Sequence, residues 1–245
     1  MRTLGVIPAR LGSTRLPRKV LLDIAGRPMV EWVWRAAMGS GLMDEVVVAT
    51  DSDEVRTVCA ARGIPARMTS PECASGSDRV CEVARRVEAE IYVNIQGDEP
   101  LLRPGHFAPL LELFAREEVR VGTVAVPCPV EDVGNPNAVK VVMARDGRAL
   151  YFSRSTIPFD RDGVGGVTPG VAWWKHLGLY AYRREALEAF AGLKPSALEV
   201  AERLEQLRML ENGMAIHVGL AEGDTIGVDT EEDRRRVEAV LRARG

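Results

Sequence analysis

Through Val126 the chain alternates short apolar runs with amphipathic stretches, and this alternation narrows the possible folds more than any other feature. Thr3–Ile7 is apolar and ends at Pro8. Pro28 to Ser40 repeats apolar residues at helical spacing through Val30, Val33, Trp34 and Ala37, with Pro28 suited to a first helical turn. Glu45–Thr50 contains VVVA and closes at Asp51, and Glu54–Arg62 is amphipathic and stops at Gly63. Ala66–Met68, Ile91–Gln96 and Val119–Val126 read as further strands, and Ser77–Ala89 and Pro104–Arg116 as helices. This order predicts an α/β sheet, mostly parallel, joined by crossover helices that cover both faces. Ligands of such sheets bind beyond the carboxyl ends of the strands. That rule selects Pro8–Val20, Asp51–Asp53, Thr69–Asp78 and Gly97–Pro100.

The middle of the chain has a different texture. Val139–Met143 and Ala149–Phe152 flank Arg145-Asp146-Gly147, which predicts a hairpin. Gly163–Pro169 reads as a glycine-rich loop and Trp173–Arg183 as a strand. Ala197–Glu211 reads as one helix stopped by Asn212-Gly213, followed by a strand at Ala215–Val218. The last helix is expected over Thr230–Arg242, with Thr230 and Asp233 at capping-box spacing. No linker, repeat or composition shift divides the 245 residues, so the expectation is a single domain, 1–245, with an inserted β-rich lobe.

Charge and cysteine usage exclude several function classes. A formal net charge of −3 argues against a general nucleic-acid binder. No stretch approaches 18 apolar residues, and the first apolar run, about five residues, is too short for a signal segment. The expectation is a cytoplasmic protein with no membrane partner. Cys59, Cys73, Cys81 and Cys128 form no CxxC pair and have no histidine at ligand spacing, so free thiols are expected.

Five constellations carry possible chemistry. The first follows the first strand: Arg10, Ser13, Thr14, Arg15, Arg18 and Lys19, with no acid before Asp23. Arginine forks and a lysine point charge suit a polyphosphate; the alternative is a solvated basic loop. The loop fits neither GxGxxG nor GxxxxGK[ST]. Only four of the 32 basic residues are lysines (Lys19, Lys140, Lys175, Lys194), which makes a lysine retained at position 19 a small extra reason to single it out. The second is Gln96-Gly97-Asp98-Glu99-Pro100, where Asp98 is either a Mg²⁺ ligand or a solvated turn residue. The third is Asp229, either an N-cap of the last helix or a second ligand to the same metal. The fourth is Ser75-Gly76-Ser77-Asp78-Arg79, either an anion or nucleotide site at a helix start or plain capping by Ser75 or Ser77. The fifth comprises Arg154, Lys175, His176 and Tyr180 with Glu205-Gln206, a set able to meet a sugar acid or equally an exposed helix face beside a core histidine. His106 and His217 have no partner pattern and read as structural.

VIPARLGSTRLPRKVL, SGSDR, NIQGDEP, NPNAVKVV, ALYFSRSTIPFDRD, KHLGLYAYRR, LEQLRML and GVDTEED occur in this order. Together, over about residues 3 to 240, they resemble the 3-deoxy-manno-octulosonate (KDO) cytidylyltransferases. The IPAR loop is shared more loosely with acylneuraminate cytidylyltransferases; the combination with QGDEP, YFSR, HLG and LEQLR is more specific. The resemblance implies a three-layer α/β/α nucleotidyltransferase (Rossmann-like) fold and a homodimer. It also implies Mg²⁺-dependent reaction of CTP with KDO to give CMP-KDO, for lipopolysaccharide biosynthesis. A related sugar acid, amino-substituted KDO or a sialic-type acid, is the alternative acceptor. By position it assigns Arg10, Ser13, Arg15 and Lys19 to the triphosphate. Ser75, Gly76, Ser77 and Gln96 go to the cytidine side. Asp98 and Asp229 fall to the metal, and Arg154, His176, Tyr180, Glu205 and Gln206 to the sugar acid. Arg10, Arg15, Lys19, Asp98 and Asp229 are the catalytic set. The chain departs from the family where Arg18 replaces a common Gly, where Cys73-Ala74 replaces His-Gln, and where Ser77 replaces Thr.

Overall fold

A computed structural model describes residues 1–12, 16–161 and 172–244. Ser13, Thr14, Arg15 and the Gly163–Pro169 loop lie outside the described residues. In chain order the elements begin with β1 (Thr3–Pro8), β2 (Asp23–Ile24), β3 (Arg27–Pro28) and α1 (Met29–Gly39). They continue with β4 (Glu45–Thr50), α2 (Asp53–Ala61), β5 (Ala66–Met68), α3 (Gly76–Ala84), β6 (Ile91–Asn94) and α4 (Pro104–Glu112). Next come β7 (Val121–Pro127), α5 (Val130–Val133), β8 (Lys140–Met143), β9 (Ala149–Ser153) and β10 (Trp174–Arg183). The chain ends with α6 (Arg184–Ala191), α7 (Ala197–Glu202), α8 (Gln206–Glu211), β11 (His217–Leu220) and α9 (Glu231–Arg244). The residues group into two compact units, Met1–Ala108 with Leu179–Ala191 and Asp224–Gly245, and Pro109–Gly178 with Gly192–Gly223.

In the first unit β1 lies between β4 and β6 and is parallel to both, with Val6 opposite Val47 and Asn94. β5 continues the parallel order beyond β4, and the Tyr180–Arg183 part of β10 runs antiparallel to β6. The chain therefore moves outward from β1 to β4 and β5, then returns to the other side of β1 as β6. This reversal makes the β1/β6 boundary the switch point of the sheet, where the loops beyond both strands part and leave a crevice. Leu4, Val6, Ile7, Val46, Val47, Val48, Ala49, Ile91 and Val93 are all buried, as expected of parallel strands covered on both faces. A second cluster, Ile24, Met29, Leu101, Val228, Val237 and Leu241, ties α9 to the β2–β3 turn and to α1.

In the second unit β11 is parallel to β7, and β8 and β9 form the expected hairpin, with β8 also antiparallel to the first residues of β10. Lys140 on β8 is fully buried and donates to three main-chain carbonyls, those of Asn135, Ala138 and Arg154. Three acceptors satisfy all three N–H bonds of the ammonium, which is what makes its burial tolerable. Burial still pulls its pKa below the ordinary lysine value. One expected element is corrected: Ala197–Glu211 is two helices. Arg203 adopts φ 53°, ψ 49° and caps α7, and the chain restarts as α8 at Gln206. Apolar spacing runs on through this break, so periodicity alone does not reveal it.

The capping box expected at the last helix is present. Asp233 Oδ2 accepts from the Asp229 and Thr230 amides, and Thr230 Oγ1 accepts from the Asp233 amide. These bonds satisfy orphan donors at the start of α9 and fix the main chain at Asp229. Asp233→Ala removes the bonds that its carboxylate accepts and should cost about 1 kcal/mol. For a chain of this size the melting midpoint should then fall by about 2–4 °C, read by thermal denaturation under circular dichroism.

Candidate active site

A cavity of about 400 Å³ opens in the first unit, lined by Pro8, Arg10, Gly12, Lys19, Val20, Cys73, Ala74, Ser75, Gly76, Arg79, Gln96, Gly97, Asp98 and Asp229. Three of the four segments selected by the strand-end rule contribute to it. The loop after β1 supplies Arg10 and Lys19, the turn after β6 supplies Gln96 to Asp98, and the start of α3 supplies Ser75 and Gly76.

The two main loops touch through glycine. A Cβ placed on Gly97 would lie 2.8 Å from the carbonyl oxygen of Pro8, a main-chain atom that cannot swing aside. Any larger residue there would push the turn after β6 off the loop after β1. The Asp98 carbonyl then accepts from the Val228 amide at 2.9 Å, which brings the segment before α9 alongside.

Lys19 joins these segments by charge. Its Nζ donates to Asp98 Oδ2 at 2.6 Å and to Asp229 Oδ1 at 2.7 Å. The lysine side chain is 12% exposed, against 34% and 43% for the two carboxylates. Burial by itself would lower the lysine pKa, but Asp98 and Asp229 together outweigh it and hold the value above the ordinary one. The ammonium is therefore charged at neutral pH. Two carboxylates against one ammonium leave the cluster one negative charge in excess, a setting that attracts cations.

Arg18, beside Lys19, has φ 58° and ψ 28°, left-handed backbone that glycine adopts without strain. Here the guanidinium pairs with Glu54 across the surface, which compensates in part.

At α3 the Ser75 hydroxyl accepts from the Asp78 amide and the Asp78 carboxylate accepts from the Ser75 amide. Ser75 is thus the N-cap, and the helix N-terminus, which favours anions, lies at the cavity wall. Ser77 is buried and meets the Asn94 side chain at 3.5 Å, while Ser75 and Gly76 line the cavity. Cys73 also lines it; burial, then its hydrogen bond to Glu82, pushes its thiol pKa upward, so it is a weak nucleophile.

Arg79 closes the fourth constellation, but sequence reasoning gave it no role of its own. It is 3% exposed and lines the cavity wall. Its guanidinium donates to Asp51 Oδ2, Thr69 Oγ1 and the Ser70 carbonyl, at 2.7, 2.7 and 3.2 Å. One arginine thereby gathers the ends of β4 and β5 against α3. The available signal was a cation on the otherwise apolar stripe of α3, one turn beyond its cap.

The residues assigned to a sugar acid are placed separately. Tyr180 belongs to the first unit and stacks on Tyr182 with ring centroids 5.9 Å apart. Arg154, His176, Glu205 and Gln206 belong to the second. The Arg154 guanidinium donates to the carbonyls of Glu202 and Pro136, and its amide donates to the Glu202 carboxylate. His176 Nε2 meets Thr123 Oγ1 at 2.9 Å, and the ring packs edge-on against Phe152. Burial lowers its pKa to about 3, so the imidazole is neutral in any physiological buffer. Glu205 sits at the cap of α8 and Gln206, buried, opens it.

Asp98 and Asp229 offer hard oxygen ligands converging on one point. Among the described residues, no group of three or more His, Cys, Asp or Glu side chains is placed to hold a metal. A two-carboxylate site suits Mg²⁺, which usually takes one or two protein carboxylates and completes its shell with water and substrate phosphates. Also among the described residues, no helix is long and apolar enough to cross a membrane.

Known proteins resemble the chain over nearly its whole length. The cytidylyltransferase family model matches residues 4–216. A 3-deoxy-manno-octulosonate cytidylyltransferase of Acidobacterium capsulatum is 60% identical, over 98% of this chain and 97% of its own length. One of Koribacter versatilis is 56% identical, over 100% and 92%. A solved CMP:2-keto-3-deoxy-manno-octonic acid synthetase, complexed with CTP, superposes with a TM-score of 0.94 at 40% identity and covers 100% of both chains. The fold, a mostly parallel sheet with flanking helices, is accordingly the nucleotidyltransferase-like α/β fold expected from the sequence.

The close approach at Gly97 gives a direct test. Gly97→Ala should lower affinity for the cavity's ligand by about tenfold or more while the chain stays folded, because a strained contact of this kind costs about 1–3 kcal/mol. Calorimetric titration of CTP into both proteins reads the effect.

Proposed function

This chain belongs to the 3-deoxy-manno-octulosonate cytidylyltransferase family, and on that premise we propose that it transfers CMP from CTP to the anomeric 2-hydroxyl of KDO, releasing pyrophosphate. The observation that carries the proposal is the convergence of Arg10, Lys19, Gln96, Asp98 and Asp229 on one cavity at the switch point of the sheet. Basic groups for a triphosphate and acidic groups for its counter-ion meet there.

The reaction makes one bond and breaks one. The 2-hydroxyl oxygen of the sugar acid joins the α-phosphorus, and the bond from that phosphorus to the bridging oxygen of the β-phosphate breaks. Pyrophosphate leaves with the electron pair, and the hydroxyl proton passes to solvent. Such phosphoryl chemistry asks a protein mainly for positioning and charge. Arg10, Arg15 and Lys19 hold the triphosphate and offset the charge that grows on the departing pyrophosphate. Ser75, Gly76, Ser77 and Gln96 take the cytidine side. Asp98 and Asp229 would hold Mg²⁺, which when bound lowers the pKa of the attacking hydroxyl and stabilises charge on the α-phosphate. The family resemblance assigns Arg154, His176, Tyr180, Glu205 and Gln206 to the sugar acid, His176 as an uncharged hydrogen-bonding ring rather than a counter-ion. The homodimer and a place in lipopolysaccharide assembly rest on the family resemblance, and a cytoplasmic setting on the sequence expectation alone.

Pyrophosphate release from CTP and Mg²⁺ with a panel of sugar acids tests the proposal. Release is expected with KDO. Selective release with a nine-carbon acid would point to a sialic-type substrate, and no release with any acid would favour a binding module without turnover. Asp98→Ala should lower kcat/KM by about 10²–10³; near-normal turnover with saturating Mg²⁺ and CTP would remove Asp98 from this role.

A further inference from the structure

We propose that Lys19 is an internal counter-ion that competes with the divalent cation for Asp98 and Asp229, so that the metal binds well only once the triphosphate has drawn the ammonium away. The inference rests on reading these two aspartates as the Mg²⁺ ligands. The Lys19 nitrogen stands 2.6 and 2.7 Å from one oxygen of each. A Mg²⁺ ion bound to the same two oxygens would need to lie about 2.0–2.1 Å from both. The point between them cannot hold an ammonium and a metal ion together.

The lysine is well suited to leave. Its ammonium has three N–H donors, and the two aspartates take two of them. Lys19 lines the same cavity as Arg10 and the N-terminus of α3, so a bound triphosphate offers it a second set of anionic acceptors. Moving Nζ onto a phosphate keeps the lysine paired and exposes both carboxylates at once. Metal and nucleotide then bind with positive coupling, which by linkage is reciprocal. Without nucleotide, the lysine offsets the mutual repulsion of the two carboxylates.

The test is calorimetric titration of Mg²⁺ into nucleotide-free protein, repeated with Mn²⁺ followed by electron paramagnetic resonance. Lys19→Met should bind either ion about 10–100-fold more tightly than the wild type, the range expected from losing one charge-assisted competitor. Lys19→Gln should do the same. Adding Asp98→Asn should abolish the gain. Unchanged or weaker binding in the lysine variants would overturn the proposal, as would a gain that survives Asp98→Asn. Thermal melting supplies a second readout should a variant be poorly folded without metal: excess Mg²⁺ should raise its midpoint more than that of the wild type, and an equal rise would count against the proposal. Pyrophosphate release is measured separately. A tightened Mg²⁺ site in the lysine variants, beside a wild type that turns over no sugar acid, would support the competition while refuting the proposed reaction.

Discussion

The contact of Lys19 with Asp98 and Asp229 is the interaction on which the organisation of the cavity depends. It links residues 79 and 210 positions apart in the chain. Through it the loop after β1, the turn after β6 and the lead into α9 bring their charged side chains to one point. The ammonium is mostly buried, so water screens the attraction less than at an open surface. Each aspartate keeps part of its surface in water, which limits the desolvation that makes deeply buried ion pairs costly.

Main-chain geometry brings the groups within reach before charge acts. The return of the chain from β5 to β6 opens the sheet beside β1, Gly97 lets the two loops close on each other, and the Asp98–Val228 hydrogen bond aligns the third segment. Arg79 adds a second tie, from α3 to the ends of β4 and β5. The outcome is a polar cavity in which groups from four separate segments meet.

The parallel core was legible because its strands are buried on both faces and therefore read as unbroken apolar runs. Glu45–Thr50 and Ala66–Met68 match the observed strands residue for residue. The α9 cap was legible because Thr230 and Asp233 stand three apart. Other features depended on information that local pattern does not carry. Arg203 breaks a helix through its backbone angles while the apolar spacing continues. α6 follows β10 without an intervening turn residue, so the strand pattern runs straight into it. The site residues were selected largely from strand-end position and family resemblance, and their mutual contacts emerged only from the fold. Lys19 was picked out as a phosphate ligand; its pairing with both aspartates was not anticipated, because nothing in a sequence reports contact across 79 or 210 residues. Arg79 was named in its segment without a role of its own, because a buried arginine looks like any other helix-face cation until Asp51 and Thr69 are seen beside it.

The central claim is that Lys19 and its carboxylates act as one unit in the free protein. A double-mutant cycle measures this most directly. Denaturant unfolding of metal-free wild type, Lys19→Met, Asp98→Asn and the double variant yields the coupling free energy of the pair. The account predicts coupling of about 1–3 kcal/mol, as for residues within one ion-pair network. Effects that add to within about 0.5 kcal/mol would show that Lys19 and Asp98 do not interact in solution, and would contradict it.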